Sequence, residues 1–410
     1  MNVACAVRIE QSDEPERLSG LKGEWSELFE AGGGLNPFLS WEWQHTFARA
    51  FVRRRPLWIL EARDAGNRLV GLLVLCARSL TGSKRHWCLL GNGVGGADGL
   101  DILVRPGFGP PVRDAMAQAI ASSLPDWDLL ELEDLPCGSR TIVALRRAMR
   151  PRGVRDELGR RFACPGFALR GTFAEHLMRF RRRETYQRRR RWLERQPGYC
   201  VAVARRPAEA SEAMADFLRL HHLRWDAEGG SLGIPRGLVE DFHRELAPLF
   251  AARGWLRLYR MFVGGQCIAS VYGFELGGRF FYYQSGMDPA WRARSPGLVL
   301  IGQTVEDAYA HGLADYDFLR GEEPHKLDWS CDRRETCSMR LRAPGLRSEA
   351  DAAAERVFRM AREAAKAVAP DGLWRRLQRA RQSVTVAGFP SLGAGARGGE
   401  ARSERGQAAG

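Results

Sequence analysis

Lysine is scarce in this 410-residue chain: only Lys22, Lys84, Lys326 and Lys366 occur, so arginine supplies almost all of the positive charge behind a formal net charge of +13. Together with 45 glycines and abundant alanine, that bias reflects in part a GC-rich genome. The field it creates attracts phosphates, acidic sugars or anionic lipid without selecting among them. Paired cysteines are missing too. All nine stand singly, at 5, 76, 88, 137, 164, 200, 267, 331 and 337. With no CxxC pair and no histidine at ligand spacing, no metal site is expected and free thiols in a reducing cytosol are. Neither Cys267 nor Cys331 has the neighbouring histidine of a thiol nucleophile. No apolar run approaches the ~18 residues of a membrane span, and "MNVACAVRIEQSDEPERL" turns acidic before any stretch of signal-peptide length. The expectation is a cytoplasmic protein, associated with membrane at most peripherally.

What is present is a repeated order of elements. Residues 57–135 hold "LWILEAR" and "LVGLLVLCAR" around the turn "DAGN", the short run "RHWCLL", a helix near 112–123 and the strand "DLLELEDL". Residues 255–320 hold "WLRLYRMFV" and "CIASVYGFE" around "GGQ", then "GRFFYYQSG", a helix near 297–311 and "ADYDFLRG". Runs of branched and aromatic residues separated by glycine-containing turns read as hairpins, and two helical segments precede each meander. This order predicts a duplicated α+β unit: one copy in 1–170, a second in 198–345, and an arginine-rich helix at 171–197 between them. A helical segment over 346–381 and a disordered tail over 382–410 complete the expected organisation, the tail having too few apolar residues to offset its ordering entropy.

Chemistry concentrates in "YYQSGMDPAWRARSPGLVLIGQTVEDAYAHG", residues 282–312. A strand carrying Gln284 ends, a loop carries Arg292 and Arg294, and a helix opens at Ser295-Pro296-Gly297. Serine caps helices and proline fits the first turn. The amides of Gly297, Leu298 and Val299 then point out of a helix start, where the dipole and two guanidinium groups favour an anion. This is a pyrophosphate cradle, or else a plain helix start with solvated arginines. In "DYDFLRGEEPHKLDW", residues 315–329, Asp317 and Lys326 flank a glycine break, either at a reacting centre or as a surface ion pair. "LHHLRWDAEG" sets His222, Arg224 and Trp225 near a helix end, with His221 reading as core.

Taken in this order, and with "WEWQHTF" before them, these stretches resemble the CelD/FemAB-like branch of the GNAT acyltransferases over about residues 20–345. Arg294 and Gly297, with Val299 at the second glycine position, stand where that family's Gln/Arg-x-x-Gly-x-Gly/Ala turn binds coenzyme A. The resemblance implies two tandem GNAT units, an α+β fold of mixed, mostly antiparallel sheets flanked by helices. Its first copy, "NGVGGADGLDILVRPGFGP", keeps only Arg105 as a basic residue and is expected to be degenerate for coenzyme binding. The implied donor is acyl-CoA, foremost acetyl-CoA, held by Arg292, Arg294, Ser295, Gly297, Leu298 and Val299. The implied catalytic groups are Asp317 to orient or deprotonate the acceptor, Lys326 for the oxyanion, Tyr309 to protonate the thiolate and His222 as base. Arg224, Trp225, Gln284 and Arg320 would contact substrate. The acceptor would be a hydroxyl or amine, for the family a glycan or envelope precursor.

The arginine-rich stretch "FRRRETYQRRRRWLERQ", Phe180 to Gln196, has Phe173, Leu177 and Phe180 before it at helical spacing and Tyr186 and Leu193 seven apart inside it, which predicts an amphipathic helix. Arg182, Arg183 and Arg190 are expected either to contact donor phosphates or an acidic acceptor, or to belong to an interdomain structural helix. Two other readings use the same charge. An aminoacyl-tRNA donor, as in FemAB enzymes, would bind with strong salt dependence, but the long helical insertion of those enzymes is not visible between Arg205 and Trp255. A basic nucleic-acid-binding protein without catalysis would need a recognition motif or an aromatic platform, and none occurs outside this stretch. No stable nucleic-acid partner is expected.

Overall fold

The computed structural model describes residues 6–52, 55–78, 85–124, 126–226, 230–231, 233–330 and 332–368; the expected 382–410 tail and the end of the 346–381 segment lie outside them. The described strands are β1 (Arg8–Ser12), β2 (Leu57–Arg63), β3 (Leu69–Ala77), β4 (His86–Leu89), β5 (Leu103–Val104), β6 (Leu129–Pro136), β7 (Arg155–Ala168), β8 (Cys200–Ala204), β9 (Leu256–Val263), β10 (Gln266–Leu276), β11 (Arg279–Met287), β12 (Asp315–Asp317) and β13 (Asp332–Arg342). They form one sheet in the order β1-β2-β3-β4-β6-β13-β7-β12-β11-β10-β9-β8, with β5 alongside β3.

That order is a near mirror image. β1-β2-β3-β4-β6 on one side matches β8-β9-β10-β11-β12 on the other, and each half has a single parallel contact, β4 with β6 and β11 with β12. A helix bridges each parallel pair, Gly109–Ser122 in the first and Pro296–Ala310 in the second, because parallel neighbours need a crossover. At the centre the halves exchange strands. β7 follows the first meander in sequence but pairs with β12, Phe167 opposite Tyr316, while β13 ends the second and pairs with β6. The two exchanged strands also pair with each other, Arg342 with Arg155 through Asp332 with Gly166. Gly166 permits the tight β7–β12 approach, since a Cβ there would lie 2.8 Å from the Tyr316 carbonyl oxygen.

On one face the core is continuous across both halves. Trp43, from helix Trp41–Phe47 of the first half, packs edge-on against Phe242 at 5.1 Å and against Tyr283 at 5.8 Å in the second. Tyr283 also donates to the Gly95 carbonyl oxygen. A second core, on the other face of the second half, collects Phe180, Tyr186 and Leu193 of the arginine-rich stretch with Val299, Val305, Tyr316 and Trp329. The arginine-rich segment is two helices, Phe173–Arg179 and Arg183–Glu194, the first with a capping box between Thr172 and Glu175.

Candidate active site

β11 and β12 pair over only three residues, Arg279 with Asp315, Phe280 with Tyr316 and Phe281 with Asp317. The chain after β12 then turns away through Leu319 and Gly321, both at positive φ (59° and 123°), while β11 runs on to Met287 with only β10 beside it. The register against β10 also shifts between Tyr272 and Gly273, leaving Tyr283 as an extra residue in β11. A bulge of this kind re-aims side chains and amides next to it. The result is a wedge-shaped opening in the middle of the sheet, bounded by β11 on one side and residues 318–330 on the other.

Directly after β11, the turn Pro289–Arg294 is capped by Asp288, whose side chain accepts from the Ala290 amide. Ser295 follows in the left-handed conformation (φ 51°, ψ 49°) and helix Pro296–Ala310 begins. Its side chain makes no cap hydrogen bond, so serine serves here as the hinge rather than the expected cap. The Val299 amide bonds back to the Ser295 carbonyl oxygen at 3.3 Å. The donors left facing outward are therefore Gly297 and Leu298, one fewer than the sequence suggests. Gly297 is partly exposed, and a Cβ there would meet nothing closer than the Met287 sulfur at 3.7 Å. Arg292 and Arg294 are exposed and form no ion pair among the described residues. Arg294 lies 4.1 Å over the ring of Trp192, which brings the arginine helix to the rim of the cradle.

The first half builds the corresponding helix start differently. Its matching helix, Gly109–Ser122, starts Gly-Pro-Pro, so Pro110 and Pro111 remove two amides from the first turn. Arg105 is paired with Glu27 at 2.7 Å. Arg113 lies near this helix start instead and bonds the Thr141 hydroxyl at 3.3 Å.

Several expected site residues have other partners. Arg320 is almost enclosed: its guanidinium bonds both oxygens of Asp134 at 2.6 and 2.8 Å, its amide bonds Asp98 at 2.8 Å, and the two aspartates come from the first half. It clamps the halves together. Burial drives Asp134 up to about 7, with Arg320 opposing that rise. Asp317 is buried, accepts from the Leu319 amide and the Arg334 guanidinium at 2.8 and 2.9 Å, and burial raises its pKa. Lys326, also buried, donates to the Arg320 carbonyl oxygen at 2.9 Å and pairs with Glu323 at 3.0 Å. Asp317 and Lys326 thus have separate partners and do not form a surface ion pair with each other. His222 is buried against Glu240 of the neighbouring helix at 3.1 Å. Tyr309 is twelve residues beyond Gly297, about 18 Å along the helix, where its hydroxyl contacts His176 at 3.3 Å.

Arg182, Arg183 and Arg190 are likewise engaged within the protein. Arg182 pairs with Asp328 at 3.1 Å, Arg183 lies 2.8 Å from the Met178 sulfur, and Arg190 bonds Glu194, Glu306 and the Tyr186 hydroxyl. The arginine segment is a bracket. It grips the cradle helix through Tyr186 and Arg190, and the chain beyond β12 through Arg182 and the stacking of Phe180 on Trp329 at 3.9 Å.

Near the splayed strands lie Gln284 and the buried Tyr282 of β11, His325 with its ring 6.1 Å from that of Tyr282, and Arg224, which stacks over Trp225 at 5.1 Å. The Gln284 amide sits beside Gly233, where a Cβ would lie 2.7 Å from it. Trp225 borders the same helix end, 6.5 Å from the His221 ring. His325, on the short helix Pro324–Leu327, was hidden in the sequence as one histidine in a polar stretch. The stretch Gly229 to Gly233 has the Gly-x-Ser-x-Gly spacing of a nucleophile elbow, but the hydrogen bonds of its serine give it a structural part. Ser231 is buried, accepts from the amides of Gly233 and Ile234, and lies 2.6 Å from His221 Nε2. It ties the loop down over the helix end, and His221 completes that tie at the Ser285 carbonyl.

Residues 181–327 match the family described as an acetyltransferase (GNAT) domain. No curated protein sequence matches the chain. Among solved structures, the chain is similar to FemX, with TM-score 0.54 and 9% identity over 80% of this chain and 96% of that one. It is also similar to a tandem GNAT protein from the clavulanic acid biosynthesis pathway, with TM-score 0.43 and 13% identity over 83% and 100%. A third is the C-terminal domain of a putative lysylphosphatidylglycerol synthetase from Agrobacterium fabrum, with TM-score 0.49 and 8% identity over 83% and 95%. No described helix is long and apolar enough to cross a membrane. The cradle and the split parallel pair lie inside the segment that matches the acetyltransferase (GNAT) domain family, and the chain as a whole shares the fold of FemX.

Proposed function

We propose that the second half binds acyl-CoA and transfers its acyl group to an amine or hydroxyl. The observation that carries this reading is the helix start at Ser295-Pro296-Gly297. Two amides without partners, those of Gly297 and Leu298, open toward solvent beside Arg292 and Arg294, at the mouth of a wedge between parallel strands. A pyrophosphate suits that combination of oriented N–H groups, helix dipole and guanidinium charge. The pantetheine arm would then run into the wedge and bring the thioester to the open edge of β11. The acceptor's lone pair attacks the carbonyl carbon, the C–S bond breaks, and the electron pair leaves on sulfur as the coenzyme thiolate. No protein nucleophile is needed. Most of the rate enhancement would come from holding thioester and acceptor together and from amides polarising the carbonyl. For the acceptor, the CelD/FemAB-like resemblance points to a glycan or envelope precursor.

Calorimetric titration with acetyl-CoA tests the donor site. Arg294→Glu should weaken binding roughly 10- to 100-fold, the worth of one charge-assisted phosphate contact, with an unchanged circular dichroism spectrum. Unchanged affinity would sink the cradle assignment.

One observation supports a second reading, an aminoacyl-tRNA donor: Arg188, Arg191 and Arg195 are exposed along one flank of the arginine helix. In that case donor binding should fall steeply between 50 and 200 mM salt, whereas acetyl-CoA binding should change little.

A further inference from the structure

Three polar side chains from three elements converge across the wedge. Tyr282 extends from β11, His325 from the helix Pro324–Leu327, and Arg224 from near the end of helix Pro207–Asp226. The Tyr282 and His325 rings are 6.1 Å apart, and Arg224 stands one turn beyond His221, whose backbone abuts Gly286 of β11. The Tyr282 side chain is 2% exposed, and its hydroxyl has no well-aligned hydrogen-bond partner, Ser285 being the polar side chain beside it. A buried hydroxyl left this way costs about 1–3 kcal/mol, and such groups in a folded protein call for a partner that completes them. Among the described residues His325, which is partly exposed, makes no hydrogen bond and Arg224 forms no ion pair. Around them, by contrast, Lys326 pairs with Glu323, Asp317 with Arg334 and Arg320 with Asp134.

We propose that the three side chains receive the acceptor: Arg224 pairs with an anionic group that the acceptor carries, a carboxylate or phosphate, and His325 takes the proton that its attacking amine or hydroxyl loses. Tyr282, a neutral phenol held near pKa 12 by burial, donates a hydrogen bond to the same molecule. Burial, with the Lys326 ammonium next, lowers His325 to about 4, so its imidazole is neutral at pH 7 and has a lone pair to offer. As the bond to the acyl carbon forms, the acceptor's proton moves to the imidazole, and from there to the departing thiolate or to water. General-base assistance of this kind is typically worth 10²–10⁴-fold.

This inference rests on the donor reading above, and the experiment separates the two. Thiol release from acetyl-CoA is measured with water alone and with matched acceptors, glucosamine against glucosamine 6-phosphate and ethylamine against β-alanine, while acetyl-CoA affinity is followed by calorimetry. The expected result is a kcat/KM higher for the anionic member of each pair by about tenfold, as for one charge-assisted hydrogen bond. Arg224→Gln should bring the two members level, and His325→Gln should slow every reaction by about 100-fold or more with acetyl-CoA affinity intact. Equal use of the paired acceptors by the wild type, or a His325→Gln enzyme within threefold of wild type, overturns the proposal. Failure of the wild type to bind acetyl-CoA would count against the donor reading instead.

Discussion

The phenol ring of Tyr186 occupies the space over Gly302: a Cβ at that glycine would fall 2.1 Å from the ring carbon Cε2. This contact lets the arginine helix lie against the cradle helix, and Arg190 seals it by bonding both the Tyr186 hydroxyl and Glu306. Of the eight arginines between Phe180 and Gln196, Arg190 thereby ties the segment to helix Pro296–Ala310 and Arg182 ties it to Asp328 in the chain beyond β12.

Gly302→Ala should therefore be destabilising, by the 1–3 kcal/mol typical of overpacking, in spite of alanine's better helix propensity. Thermal melting checks this. Adding Tyr186→Leu should recover part of the loss, because the smaller side chain yields to the new methyl group. A melting temperature that rises on Gly302→Ala alone would show that the two helices are not in close contact.

Trp192 is predicted to act through Arg294. An exposed cation–π contact is worth about 0.5–1 kcal/mol, so Trp192→Ala should raise the KM for acetyl-CoA roughly two- to fivefold with kcat little changed. Steady-state kinetics in both substrates would reveal it. A fall in kcat at constant KM would place the indole's role elsewhere.

Stability should fall with acidification. Burial lowers His243 to about 3 and His221 to about 4, whereas in the unfolded chain each titrates near 6.5. Between those values the unfolded state binds protons that the folded state does not, so stability declines as pH drops below 6.5, by up to about 1.4 kcal/mol per pH unit for each histidine. Below the folded pKa values both states are protonated and the loss levels off. Asp134 works in the other direction: raised to about 7, it makes the folded state the better proton binder from about 4 to 7 and offsets roughly one histidine. Melting temperatures at pH 7, 6 and 5 should decrease, and His243→Phe should flatten the curve. An equal or steeper slope in that variant would contradict the assignment.

Much of this was legible in the sequence because it is local. Gly-turns between branched runs such as "WLRLYRMFV" and "CIASVYGFE" specify hairpins whatever surrounds them, and the heptad from Tyr186 to Leu193 announces a helix with one buried face. The cradle was legible for the same reason, since proline after serine marks a helix start. What escaped depends on distant partners. Nothing within β7 or β13 signals that each completes the other half's sheet, because strand exchange is decided by which edge is open. Arg320 read as a substrate ligand since its partners Asp98 and Asp134 lie 222 and 186 residues away in sequence. His325 gave no periodic signal at all. Only the divergence of β12 from β11 sets it opposite Tyr282. The Pro110-Pro111 pair was readable as a helix start that lacks two amides.

That pair also supplies the most direct test of the central claim, that amides at the start of helix Pro296–Ala310 hold the donor. Gly297→Pro copies the first half's Pro-Pro start into the second. It removes one N–H that has no partner within the helix, at a first-turn position where proline is tolerated and where a Cβ has room. Acetyl-CoA titrated calorimetrically into this variant, with its fold confirmed by circular dichroism, should bind at least about tenfold more weakly than to the wild type, the worth of one hydrogen bond to a charged phosphate. Wild-type affinity in a folded Gly297→Pro protein would contradict the account.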